Sequence, residues 1–160
     1  MSARCGAILA PAALLAVLAS PATARAELGS TTTLNGSSPP AVMAPLADLS
    51  VMLDTVQSEG NRLLVVQGVR KPGTRAPIQY HDFGGHTCVL SGTITDFVEG
   101  QNPTTHPAGT CYYMPPDVAM TAANLGTEDV RLIATFVTPP EAPAILVLEP
   151  GWPDLTDPTG

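Results

Sequence analysis

The sequence predicts an all-β sandwich or barrel, and three observations carry that prediction. Short runs of β-type residues recur along the chain, separated by turn signals. No segment shows a convincing helical period. Fourteen glycines and 17 prolines in 160 residues suit many tight turns and stay below the range of a disordered chain. A chain of this length forms one domain with one core.

The elements follow in order. Residues 1–26 read as a signal peptide: Arg4 gives a short basic start, 6–20 are apolar, and Ala24-Arg25-Ala26 offers small residues for cleavage after Ala26. The apolar run is short and broken by Pro11, which argues against a membrane anchor. Cys5 lies too far upstream of the cut to carry a lipid. Residues 27–48 are rich in Ser, Thr, Pro and Gly and read as a flexible leader, with a glycosylation sequon at Asn35-Gly36-Ser37. Strands are expected at 50–57, 62–70, 76–81, 86–90, 92–98, 110–114, 119–123, 130–137 and 144–148, giving a β-domain over 49–149. Residues 99–103 read as a loop. The tail 150–160 has little pattern, and Trp152 is the residue able to dock it.

Charge narrows the partners. The whole chain carries −7, and cleavage removes Arg4 and Arg25 but no acid, so the mature protein is more acidic still. With Lys71 as its single lysine it offers no phosphate-neutralising surface, which excludes nucleic acid and weakens binding to anionic membranes. Secreted or periplasmic location follows from the signal. Cleavage leaves Cys88 and Cys111 as a pair, which an oxidising compartment favours joining. Two alternatives stay open: separate buried thiols, and a soft His86/Cys88/Cys111 metal site.

The turn-and-strand frame over roughly residues 50–149 resembles a single-domain cupin. Pro72-Gly73 and Val89-Leu90-Ser91-Gly92 match the turns bounding the first cupin motif. Ala108-Gly109-Thr110-Cys111-Tyr112-Tyr113-Met114-Pro115-Pro116 matches the second, with Met120 and Asn124 following. Gly-Gly-His-Thr-Cys with Cys-Tyr-Tyr-Met-Pro-Pro looks like a subgroup of exported bacterial cupins. The resemblance implies a double-stranded β-helix, or jelly-roll, barrel with a site inside it. It also implies a metal held by three His and one Glu, and here this chain departs from the pattern. The two His positions of the first motif hold Gln79 and His81, the Glu position falls on Gly85 or His86, and the His of the second motif falls on Met120.

The expected pocket is therefore Gln79, His81, His86, Tyr113, Met120 and Asn124, with Gln79, His81 and His86 as the candidate ligands of one divalent transition metal (Cu, Fe, Mn or Ni). Strand alternation groups His86 with Cys88 and Leu90 and sends Tyr112 and Tyr113 to opposite faces. With the His86 face inward, His86 lines the pocket. His106, in a Pro-bounded segment, reads as solvated. Arg131, in an apolar strand, is either an anion anchor or an outward charge. Asp82 is a weak candidate for orienting His81. Two functions follow. One is an exported barrel binding a small molecule with an incomplete ligand set. The other is a metal-dependent cupin enzyme of oxygenase or isomerase type. Exposed apolar strands are compatible with a homodimer.

Overall fold

A computed structural model describes residues 29–152. The signal-peptide segment, its cut after Ala26 and most of the tail lie outside the described residues. Twelve strands, and no helix, run through those that are described: β1 (Val42–Met43), β2 (Ala47–Val56), β3 (Arg62–Arg70), β4 (Thr74–Arg75), β5 (Gln79–Tyr80), β6 (Gly85–Ser91), β7 (Thr93–Val98), β8 (Thr104–Pro107), β9 (Cys111–Met114), β10 (Met120–Ala123), β11 (Val130–Thr138) and β12 (Leu146–Val147).

They form two sheets. A five-stranded sheet runs β2-β3-β11-β6-β9, and a seven-stranded sheet runs β1-β4-β10-β5-β12 with β7 bridging β10 and β8. Period-two alternation explains the pairing. In β3 the residues Leu64, Val66, Gly68 and Arg70 are buried while their neighbours are half-exposed. In β11, Val130, Leu132 and Phe136 turn inward. The core unites Leu64, Val66, Val89, Ile94, Val98, Met114, Met120, Leu132 and Phe136 from both sheets.

Departures from the expected strands have local causes. Of the run expected at 76–81 only β5 forms, and β4 lies just before it; both pair with β10. Between them lies Pro77, which has no N–H to give to a ladder. β8 occupies the Pro-bounded segment around His106, where no strand was expected, and pairs at the sheet edge with β7, its Pro107 opposite Thr93. An edge is where a proline is tolerated, so its prolines signalled a loop and the structure uses them at a rim.

From Leu34 on, the expected flexible leader packs on the barrel. Leu34 is buried, and β1 pairs in parallel with β4. The Asn35 side-chain amide donates to the carbonyls of Val98 and Gln101 at 3.1 Å, and its oxygen accepts from the Gly100 N–H at 2.7 Å. Asn35 thus caps the β7–β8 turn with the amide the sequon would glycosylate. In the five-stranded sheet, β2 is an edge that leaves Leu49, Val51, Met52, Leu53 and Val56 exposed.

Candidate functional site

A cavity of about 410 Å³ lies between the two sheets. Its walls are mostly apolar, built by Leu64, Val66, Met114, Met120, Leu132 and Phe136. Pro45, Leu46 and Leu49 close it from the N-terminal side, and Ile145, Val147 and Trp152 from the C-terminal side. Trp152 does dock the start of the tail. Four polar side chains share the wall: Arg70, Gln79, Thr87 and Tyr112.

The six expected pocket residues divide. Gln79 and Met120 line the cavity, and they face each other as register partners of β5 and β10. His81 is buried just behind Gln79 and stacks on Phe136, with ring centroids 5.4 Å apart. Its Nδ1 lies 2.7 Å from the Ala144 carbonyl. A carbonyl only accepts, so Nδ1 carries the proton and donates, and Nε2 offers its lone pair to the Gln79 amide nitrogen at 3.4 Å. Burial lowers the His81 pKa, partly opposed by that backbone hydrogen bond, so the ring is a neutral packed group.

His86 and Tyr113 face outward, contrary to the expected pocket. His86 is exposed on the outer face of β6 and packs on the exposed Tyr113 ring, centroids 5.1 Å apart. The inward residues of this pair of strands are Gly85, Thr87 and Val89 in β6 and Tyr112 and Met114 in β9. Alternation had grouped these residues correctly. Its phase is set by the pairing of β6 with β9 and β11, which buries Val89 and Met114. Asn124 is fully buried but does not line the cavity: its amide nitrogen donates to the Arg70 and Glu128 carbonyls at 2.9 and 2.7 Å. It pins the end of β3 to the turn before β11.

His106 is another correction. It is half-buried in β8, stacked on Tyr112 at 4.5 Å, with Nε2 3.2 Å from the Asp96 carboxylate. Inward-facing Asp96 in the adjoining strand draws it off the surface. Arg131 is exposed, the outward alternative. Cys88 and Cys111 are register partners on the outer side of β6 and β9 and form a disulfide. That pairing is consistent with an oxidising compartment.

The residues at the cupin metal positions do not fit a metal centre of that kind. His86 is on the wrong face, and Gln79 and Met120 are poor substitutes for imidazoles. Gly85, at the Glu position, has no room for a side chain. A Cβ there would come within 2.8 Å of Met114 Cε and of the Phe136 ring. Those two side chains fill the space a ligating carboxylate needs. Among the described residues no three His, Cys, Asp or Glu side chains are placed to hold a metal.

Arg70 is the residue the sequence reasoning missed. It is 5% exposed, lines the cavity, and gives both Nη1 protons to the carbonyls of Ala44 and Arg75. No carboxylate pairs with it among the described residues. Desolvation lowers its pKa to about 10, so it remains a cation at neutral pH. The signal was present: Leu64-x-Val66-x-Gly68-x-Arg70 puts Arg70 on the same face as two core residues. Tyr112, also missed, is pushed up to about 12 by burial and so stays a neutral hydroxyl. The neighbouring Thr87 hydroxyl donates to Met114 Sδ at 3.5 Å.

No protein-family model matches the sequence, and no curated protein matches it. Solved structures do resemble it. An uncharacterized conserved protein with a double-stranded β-helix domain from Klebsiella pneumoniae is 24% identical, covering 73% of this chain and 89% of that one, at a TM-score of 0.51. A cupin-like protein from Thermotoga maritima is 19% identical over 63% of this chain and 74% of that one, at a TM-score of 0.53. An RmlC-like cupin family protein from Methanocaldococcus jannaschii is 18% identical over 66% and 94%, at a TM-score of 0.50. Two facing sheets closed around one cavity, together with these likenesses, give this chain the double-stranded β-helix fold of the cupins.

Proposed function

We propose that this is an exported barrel that binds a small molecule in its interior cavity, without a cupin-type metal. One observation carries the reading: a cavity of about 410 Å³ inside the barrel has apolar walls and a few convergent polar groups. That is the usual make-up of a small-molecule site. The filled space at Gly85 supports a binding role over metal chemistry, because the first step of a cupin oxygenase or isomerase needs a ligand set this wall does not offer. Export is supported by the signal-like 1–26 and by the disulfide.

Titration with the neutral dye N-phenylnaphthylamine tests the pocket. The expected result is saturable one-to-one binding with enhanced fluorescence, lost in Ala134→Phe, which fills the cavity from β11. Ala122→Leu fills it from β10 and serves should the first variant misfold. Absence of saturable binding, or binding indifferent to both substitutions, overturns the reading.

A further inference from the structure

We propose that the cavity selects a small organic acid, with Arg70 gripping its carboxylate and the apolar wall holding its body; the inference rests on the pocket reading above. The charge pattern points this way. Arg70 is the single charged side chain among the described residues of the cavity wall, in a chain whose net charge is −7. A guanidinium has five N–H donors in a planar fork. Two of them, on Nη1, go to the Ala44 and Arg75 carbonyls. The Nε and Nη2 protons have no protein acceptor among the described residues. A buried cation without a counter-charge is costly, and an anionic ligand supplies the missing charge together with two acceptor oxygens in matching geometry.

The chain shows how it treats an arginine used for structure. Arg75 is equally buried and is met by both oxygens of Glu149, at 2.6 and 2.7 Å. Arg70 has no such partner among the described residues, and it lines the cavity. The remaining wall limits the class. One cation suits a monoanion, not a dicarboxylate or a phosphate dianion. Apart from Gln79, Thr87 and Tyr112 the wall is hydrocarbon, proline and Trp152, which disfavours a sugar and suits an alkyl or aromatic body. Gln79 adds one amide for a second polar point on the ligand. Its NH2 already meets the His81 Nε2, which fixes its orientation.

Displacement of bound N-phenylnaphthylamine by naphthylacetate and by naphthylacetamide tests this, because the two share a shape and differ in charge. Wild-type protein is expected to prefer the acid by about 10- to 100-fold, the worth of a charge-assisted hydrogen-bonded pair. Arg70→Met is expected to bring the two affinities within about threefold of each other while the dye still binds, and Arg70→Lys to keep part of the preference. Equal affinities in the wild type overturn the inference and leave the pocket reading standing. So does an acid preference that survives Arg70→Met. If Arg70→Met misfolds, the wild-type comparison decides alone. If the dye itself does not bind, the pocket reading fails first; if it binds but neither compound displaces it, the assigned class is wrong.

Discussion

Arg70 and Arg75 stand five residues apart, at the end of β3 and in β4, and are 5% and 7% exposed. The barrel treats them in opposite ways. Arg75 is locked in a bidentate pair with Glu149, whose carboxylate also accepts from the Ile78 N–H at 2.9 Å. That clasp joins β4 to the segment after β12 and balances the charge within the protein, while Arg75 Nε is left without a hydrogen-bond partner. Arg70 touches carbonyls with one of its nitrogens and meets no acid among the described residues. Equal burial with unequal pairing separates a cation matched by an acid within the fold from one that faces the cavity. Burial alone would have ranked them together.

The largest effect is expected at Glu149. Glu149→Gln leaves the Arg75 guanidinium buried without its counter-charge, and a loss of about 3–5 kcal/mol in urea-denaturation stability is expected. A loss below about 1 kcal/mol would mean that the clasp is not structural. The outer-face disulfide provides a scale against which to read that number. Closing a loop across 23 residues, it contributes roughly 3 kcal/mol on a chain-entropy view, and Cys88→Ser with Cys111→Ser should cost about that much while dye binding persists in the folded fraction. Arg70→Met sharpens the contrast from the other side. It removes an uncompensated buried charge but takes a donor from the Ala44 and Arg75 carbonyls, of which the second keeps the Ala44 N–H, so the net change should stay within about 1 kcal/mol. A loss of 3 kcal/mol or more would make Arg70 a second structural pin.

The smallest expected effects are the slopes of stability with pH. The hydrogen bonds from Arg75 hold the Glu149 carboxyl below its ordinary value. Its stabilisation is therefore fully present above about pH 4.3, the usual Glu value, and lost as pH falls through the lower folded value. Glu149→Gln should flatten that acid limb. Burial likewise depresses His81, so its contribution is full above about pH 6.5 and lost as pH falls through its folded value. His81→Gln should remove the slope that begins near pH 6.5. An unchanged slope would mean that His81 is not held neutral.

The fold was legible in the sequence to a considerable degree because strand alternation and turn residues are local. β3 and β11 begin where they were expected, and the disulfide follows from an even cysteine pair once a signal is read. β8 was hidden because Pro103 and Pro107 look like loop residues unless the strand lies at an edge. The site was less legible. Alternation grouped His86 with Cys88 and set Tyr112 against Tyr113, but each strand has two faces and its own sequence does not say which one the core takes. Pairing with β9 and β11 decided that, burying Thr87 and Tyr112 and leaving His86 and Tyr113 outside.

By itself, then, the sequence determined the class of fold, the run of strands, the acidic surface, and the loss of the usual ligand types at Gln79, Gly85 and Met120. Tertiary structure alone decided that Phe136 and Met114 fill the space beside Gly85, that Asn124 serves a backbone turn, and that Arg75 has Glu149 while Arg70 meets no acid among the described residues. The physical reason is range. Propensity and alternation act over a few residues, whereas burying a charge is settled by partners such as Glu149, 74 residues further along the chain.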